Sequence, residues 1–248
     1  MIGARRGNTG GPNQGLILLI VVIAILLFLN GQVGIGSELA DPTRLIALVL
    51  AFGVGITFHE FMHAYVASRL GDDTGRLMGR LTLNPLAHLD PIGTLFLIFF
   101  RFGWGKPVPV NFSRLQGGRR GGAGVAFAGP ATNLIIAALF AMPFRFGSAD
   151  LFGSQYADIL RYVVAFNVLL GIFNLVPIPP LDGSNILYAF VPSRVAWNWA
   201  QFQQLGPFLL LLLFFGVPQV GRLLAFAAAS VAALLCGTST CALPLFGA

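Results

Sequence analysis

Residues 43–70, TRLIALVLAFGVGITFHEFMHAYVASRL, combine a long apolar run with three ionisable side chains close together. The segment is long enough to cross a bilayer as a helix, which takes about 20 predominantly apolar residues. It holds two of the chain's three histidines and one of its two glutamates, at His59, His63 and Glu60. Because ionisable groups inside a membrane helix are costly and usually functional, the segment predicts a spanning helix with a functional site on it.

The composition of the whole chain supports a membrane location. Of its 248 residues 56% are hydrophobic and only 10% are charged, with a mean hydropathy of +0.81. A soluble domain carries about 25% charged residues, so we expect an integral membrane protein surrounded by the lipid bilayer. The formal net charge of +6 reflects basic loops in such a chain, and no nucleic-acid partner is expected.

Further apolar segments predict an all-α polytopic membrane protein with about five to six transmembrane helices. We interpret residues 1–248 as a single membrane-embedded domain with a core at 43–190. The first segment follows a basic N-terminus as a signal peptide would, but no convincing cleavage site follows it, so we interpret it as a retained helix. Besides 43–70, the predicted segments are 16–29, 122–144, 157–176 and 207–235, the last interrupted at Pro218 and Arg222.

The positions of the basic residues predict the orientation, because cytoplasmic loops are rich in Lys and Arg. Arg5 and Arg6 precede the first segment, whereas the loops at 30–43 and 145–156 carry only Arg145. The N-terminus and the connection between the second and third segments are therefore predicted to be cytoplasmic. That connection carries Arg69, Arg76, Arg80, Lys106, Arg114, Arg119 and Arg120.

Two stretches of this connection have special predicted conformations. Residues 91–104, PIGTLFLIFFRFGW, are too short to span and would leave several arginines outside if they crossed, so they are predicted to be re-entrant or interfacial. Residues 106–111, KPVPVN, alternate proline with other residues, which is typical of an edge strand. Such an edge could pair with an extended substrate; the alternative is a rigid cytoplasmic loop.

His59, Glu60 and His63 form the pattern H-E-x-x-H. In a helix, positions i and i+4 share one face, so the two imidazoles can bind one zinc ion, with Glu60 placed to act on a water molecule as a general base. A catalytic zinc takes three protein ligands. The candidates for the third are His88, Asp90 and Asp182; of these, Asp182 follows prolines that break the fourth segment and let the chain fold back.

HEFMH at 59–63 together with NLVPIPPLDG at 174–183 resembles the site-2 protease family of intramembrane zinc metalloproteases, peptidase family M50. Residues 129–133 (GPATN), 79–94 (GRLTLNPLAHLDPIGT) and 105–111 (GKPVPVN) resemble its compact bacterial branch. The resemblance covers roughly residues 45–190. The connection 70–121 is too short for the PDZ domain that many larger members carry, so regulation through that domain is not expected.

The resemblance implies one Zn²⁺ per chain, held by His59, His63 and Asp182, with Glu60 as the catalytic base. It implies that Asn174 contacts the substrate or the oxyanion. It also implies cleavage in or near transmembrane segments of membrane proteins, the substrates being single-pass proteins already cut by another protease. The oligomeric state and the identity of the substrate do not follow from it.

Three further residues and one pair are open to two interpretations each. Asn133 is a candidate substrate-binding residue or an amide that bonds across helices. His88, with Asp90, is a possible catalytic auxiliary, or part of a turn formed by Asn-Pro and Asp-Pro. Cys236 and Cys241 are interpreted as free thiols, with a local disulfide as the alternative.

The alternative function is a non-proteolytic metal-binding membrane scaffold or transporter. A transporter needs polar residues through the full depth of the membrane, whereas here they cluster near one face. A scaffold that had lost activity would be expected to have lost Glu60 or a ligand.

Overall fold

The computed structural model describes residues 42–94, 103–192, 194, 196–238 and 241. All regular secondary structure in these ranges is helical, as the sequence predicts. Three short 3-10 turns occur at Pro85–Ala87, Ala149–Phe152 and Ala196–Asn198. The α-helices that lie wholly within these ranges are α1 (Pro42–Arg69), α2 (Thr74–Leu77), α3 (Arg119–Arg145), α4 (Ser154–Asn174), α5 (Asp182–Tyr188), α6 (Trp199–Gly216) and α7 (Pro218–Cys236).

Four of these helices are long and apolar enough to cross a membrane, and the chain is an integral membrane protein. The predicted count of five to six spans stays a prediction, because the segment 16–29 lies outside the described residues. The interruption predicted at Pro218 is the break between α6 and α7, but α7 continues through Arg222. The candidate spans are Leu45–Arg69, Arg119–Arg145, Ser154–Asn174 and Pro218–Cys236.

The centre of the bundle is formed by α1, α3 and α4, which pack against one another. Their shared core includes Phe52 of α1, Ile136 of α3 and Phe166 of α4. The rings of Phe52 and Phe166 meet edge to face at 5.6 Å between centroids, a favoured aromatic geometry. This packing fixes the C-terminal part of α1, which carries His59, Glu60 and His63, beside the N-terminal part of α3.

Helix α7 packs against α3 and α4 through alanines, at the end of the bundle where α3 finishes. The Arg145 guanidinium donates a hydrogen bond to the carbonyl of Leu234 (3.0 Å). Gly237 then takes a left-handed conformation with φ 73°, which turns the chain back. Cys236 and Cys241 form a disulfide there, so the interpretation as free thiols was wrong.

The connection between α1 and α3 differs from its prediction in one respect. Residues 106–111 form no strand, and an isolated bridge between Leu89 and Gly105 is the β-type pairing found in the described part of the connection. Prolines 107 and 109 cannot donate to a ladder, which accounts for the irregular conformation. The predicted re-entrant element falls mainly on residues 95–102, which lie outside the described residues.

Candidate metal centre

His59 and His63 lie one turn apart on α1, and both are buried. Their Nε2 atoms are 3.0 Å apart, because the i and i+4 side chains of a helix project from the same face. Both residues belong to the candidate span that ends at Arg69. The helix therefore presents two imidazoles side by side within the membrane-spanning part of the chain.

Asp182 reaches the two histidines from a different part of the chain. Helix α4 ends at Asn174 and α5 begins at Asp182 itself, with a proline-rich segment between them that cannot continue a helix. The Asp182 Oδ2 atom lies 3.1 Å from His59 Nε2 and 3.2 Å from His63 Nε2. The residue after Asp182 is Gly183. Glycine is required at this position because the backbone of Leu175 occupies the space that a Cβ would need.

The hydrogen bonds of Asn133 determine which nitrogen of His59 carries the proton. The Asn133 Nδ2 group donates to the Gly55 carbonyl (3.0 Å) and to Asn167 Oδ1 (2.9 Å). Its Oδ1 therefore faces His59 Nδ1 at 2.6 Å and accepts from it. With the proton on Nδ1, the Nε2 atom of His59 is left with a lone pair.

The second imidazole is held in the same tautomer. His63 Nδ1 donates to the carbonyl of Val125 in α3 at 2.7 Å, so in the neutral ring the lone pair is on Nε2 as well. With both rings neutral, two imidazole lone pairs and the Asp182 carboxylate converge on one point, a donor set that suits a bound cation.

The three donor atoms fit zinc in type and in spacing. They are two imidazole nitrogens and one carboxylate oxygen, a ligand set of the kind found in catalytic zinc sites. Ligand atoms at about 2.0–2.1 Å from a tetrahedral zinc lie about 3.3 Å apart, close to the 3.0–3.2 Å between these atoms. Their geometry therefore needs only a small expansion to hold the ion.

Glu60 lies next to the first histidine, at the edge of a cavity of about 250 Å³. Its Oε2 atom accepts a hydrogen bond of 3.0 Å from the backbone N–H of Val108. The polar lining of the cavity consists mainly of Glu60, the three candidate ligands and two asparagines. Its apolar lining includes Val110, Phe112, Val125 and Ala126.

Gly129 allows α3 to pass close to the histidines. A Cβ at this position would lie 2.5 Å from His63 Nε2 and 2.7 Å from His59 Cε1. Real Cβ atoms do not approach other heavy atoms so closely, so any side chain here would displace the imidazoles. The GPATN motif thus supplies a glycine that leaves room for the site and, at Asn133, the amide that orients His59.

The remaining candidates from the sequence lie at different distances from this centre. Asn174 lines the cavity, and its Nδ2 group donates to the Leu170 carbonyl. Asn133 is fully buried beneath His59 and is not among the residues that line the cavity. His88 is also fully buried outside that lining, with Nε2 on the Thr82 carbonyl, and Asp90 accepts from the Gly93 N–H in a turn.

Two contacts of the centre were not predicted. Asn167 supports Asn133, and an amide inside the otherwise apolar run 163–173 is the signal that could have identified it. The hydrogen bond from the Val108 N–H to Glu60 had no such signal in the sequence, because every residue except proline has the same backbone donor. This contact is evident only from the structure, in which the connection between α1 and α3 passes beside the cavity.

Fold and site together define a membrane metalloprotein with an H-E-x-x-H helix and a distant aspartate as its ligand-bearing parts. The family model of peptidase family M50 matches residues 143–214. No solved structure gives a significant match to the chain.

Two curated relatives extend this result over most of the chain. The protein named "Putative zinc metalloprotease YwhC" of Bacillus subtilis is 40% identical over 173 residues, which is 67% of this chain and 79% of the relative. "Putative zinc metalloprotease Rip2" of Mycobacterium tuberculosis (strain H37Rv) is 31% identical over 206 residues, 81% of this chain and 78% of the relative. The chain belongs to peptidase family M50, the site-2 protease family, and is a zinc metalloprotease.

Proposed function

We propose that this metalloprotease is an intramembrane endopeptidase that cuts peptide bonds in or near transmembrane segments of other proteins. The observation that carries the proposal is the position of the ligand cluster on a spanning helix. His63 lies six residues before the end of the span at Arg69, roughly 9 Å along the helix axis at 1.5 Å per residue. A site at this depth acts on chains that enter the membrane.

In the proposed mechanism, His59, His63 and Asp182 hold the zinc ion and Glu60 moves the protons. Zinc at this site supplies a Lewis acid that polarises the scissile carbonyl and acidifies water. Glu60 accepts a proton from the attacking water and then delivers it to the leaving amine. The Nδ1 hydrogen bonds of both histidines, to Asn133 and Val125, fix the two rings so that their Nε2 atoms would hold the ion.

The substrates we propose are membrane proteins with an apolar segment that unwinds locally at the site. One turn of a helix with its side chains, 5.4 Å long and about 10–12 Å across, occupies roughly 400–600 Å³. The cavity of about 250 Å³ is smaller than this and suits a short extended segment. The apolar wall formed by Val110, Phe112 and Val125 suits the side chains of a transmembrane segment. Asn174 borders the same cavity, and we assign it a contact with the substrate backbone or the oxyanion.

We propose that the site faces the cytoplasmic side of a bacterial inner membrane and that the N-terminus is cytoplasmic. The basic residues of the connection 70–121 support this orientation. The disulfide supports it independently: Val125 contacts the site and Arg145 contacts the disulfide end of α7. These two residues of α3 are roughly 30 Å apart, and disulfides persist in compartments outside the cytoplasm.

The orientation is tested with single added cysteines and a membrane-impermeant maleimide on intact cells. Phe146 and Met78 are exposed and lie at opposite ends of the bundle. F146C should be labelled in intact cells and M78C only after permeabilisation. The reverse pattern would overturn the proposed orientation without touching the metal site.

The proteolytic function is tested with purified protein in liposomes and a fluorophore–quencher peptide. The peptide carries a transmembrane segment of about 20 Leu and Ala residues interrupted by Asn-Gly, which helps it to unwind. We expect cleavage by the wild type within or beside this segment, and none by E60Q with its zinc content unchanged. Equal cleavage by E60Q would reject Glu60 as the base, and wild-type protein that binds zinc but cuts no membrane peptide would favour the scaffold or transporter.

A further inference from the structure

Residues 106–111, called here the strap, lie over Glu60 without forming regular secondary structure. The backbone N–H of Val108 in the middle of the strap donates to Glu60 Oε2 at 3.0 Å. Pro107 and Pro109 flank this donor and have no N–H of their own, while their rings restrict the backbone. The strap therefore gives Glu60 one hydrogen-bond donor, in a backbone whose conformational freedom the prolines restrict.

Arg80 anchors the beginning of the strap. Its side chain is buried, and its guanidinium donates to the carbonyls of Lys106 (3.2 Å) and Pro107 (3.0 Å) as well as to that of Ala87. A buried guanidinium is costly unless its N–H groups are hydrogen-bonded, and its donors form a rigid fork. Arg80 thus fixes two consecutive carbonyls immediately before the Val108 amide.

Asp72 anchors the end of the strap. It is fully buried, and its Oδ2 atom accepts a 2.6 Å hydrogen bond from the Asn111 N–H. Its Oδ1 atom accepts from the N–H and the hydroxyl of Thr74 at the start of α2. Gly75 of α2 packs so closely on the strap that a Cβ there would lie 2.9 Å from Val108 Cγ1.

We propose that the strap is a positioning element that holds the Glu60 carboxylate for its two proton transfers, and that Asp72 and Arg80 are the positioning residues that fix the strap. The inference rests on the proposed role of Glu60 as the base. Neither Asp72 nor Arg80 is among the residues that line the cavity, so they act through the strap. Losing either anchor frees the Val108 amide, and with it the carboxylate.

This role differs from the pairing of the strap with a substrate strand. Of the four amide N–H groups in residues 106–111, three donate within the protein: Lys106 to the His88 carbonyl, Val108 to Glu60, and Asn111 to Asp72. An edge whose donors are used inward has little left for a partner strand. Its contacts therefore favour positioning of Glu60 over substrate pairing.

The first test measures kcat, KM and zinc content with the fluorophore–quencher peptide for D72N and R80Q. The matched controls are D73N and R76Q. Asp73 and Arg76 form an ion pair with each other (Oδ1 to Nη1 3.8 Å) that does not involve the strap. We expect kcat to fall about 10- to 100-fold in D72N and R80Q, the cost of a small misplacement of a reacting group. KM and zinc content should change less than twofold, and the controls should match the wild type.

Two results would overturn the inference: D72N and R80Q with wild-type kcat, or a loss of kcat that follows a parallel loss of zinc. Should an anchor variant fail to fold, V108P removes the donor itself within a proline-rich backbone. It should lower kcat to the same extent with zinc retained. A folded V108P with wild-type kcat would also contradict the strap's role.

Hydrogen–deuterium exchange of the strap gives a readout that does not depend on catalysis. In E60A the Val108 amide should exchange at least tenfold faster than in the wild type, with Asn111 unchanged, and in D72N both should exchange faster. Unchanged Val108 exchange in E60A would mean that the contact is not made. If the wild type cuts no membrane peptide while E60A still frees Val108, the proposed function fails and the contact stands.

Discussion

Two faces of α1 hold the site in different ways. On the α3 side, the face that carries His59 and His63, α3 fixes the metal ligands through Asn133 and the Val125 carbonyl. On the strap side, the face that carries Glu60, the irregular strap reaches the base through a single amide, that of Val108. The metal ligands and the base are therefore held by separate parts of the chain, and changes on the two faces should have separable effects.

The largest effect is expected on the α3 side, from G129A. The added methyl would lie within 2.5–2.7 Å of the atoms of His59 and His63, so the imidazoles or the helix must move. We expect zinc affinity to fall by about 100-fold or more, the upper range for changes beside metal ligands. The measurement is zinc per chain after dialysis against graded chelator.

The control for this prediction is G124A on the same helix. Gly124 has no atom within 4 Å of the position that a Cβ would take, so G124A should bind zinc as the wild type does. If G129A also retained wild-type affinity, the close packing of α3 against the histidines would not matter for the metal.

A smaller loss of zinc is expected from N133A. The variant removes the acceptor that keeps the proton on His59 Nδ1, and it removes the amide that donates to Asn167 Oδ1. Second-shell changes of this kind cost about 10–100-fold in metal affinity. T132A is the neighbouring control, because the Thr132 hydroxyl bonds the Ala128 carbonyl and not the site. Normal zinc affinity with impaired peptide binding in N133A would instead favour the substrate contact first considered for Asn133.

The α3 side was the more predictable of the two. H-E-x-x-H on an apolar segment fixes the spacing of His59 and His63, and helix periodicity alone places them together. Asp182 was a candidate because prolines end the preceding helix, but its approach to the histidines depends on tertiary packing. Asn133 was recognised as a polar residue of interest in α3, and only its contacts distinguish an orienting role from a substrate contact.

The strap side could not be derived from residue types. The alternating prolines of 106–111 indicated a restricted backbone, and an edge strand was the wrong conformation for it. Asp72 and Arg80 look like ordinary charges of a basic loop until their buried contacts with that backbone are known. The disulfide was the alternative and not the preferred interpretation, because its formation depends on the turn at Gly237, which the sequence does not reveal.

The smallest effect is a pH dependence at the Asp72 anchor. Burial alone raises the pKa of Asp72, but hydrogen bonds from Thr74 and Asn111, aided by the charge of Arg114, hold it below its ordinary value. A carboxyl with a lowered pKa stabilises the folded state above its unfolded pKa, and this contribution is lost as the pH falls through the folded pKa.

We therefore expect wild type and D72N to differ in thermal stability by a constant amount above about pH 5, with the gap closing below about pH 4. Melting temperatures in detergent from pH 7 to pH 3 measure this difference. D73N is again the control. A gap that persists undiminished at pH 3 would show that Asp72 acts through shape and not through its charge.

The most direct test of the zinc site and its base is zinc per chain, with peptide cleavage, for wild type, D182A and E60Q. We expect one zinc with cleavage in the wild type, a large loss of both in D182A, and one zinc without cleavage in E60Q. One zinc in D182A would contradict the ligand set of His59, His63 and Asp182. Cleavage by E60Q at the wild-type rate would contradict the role of Glu60.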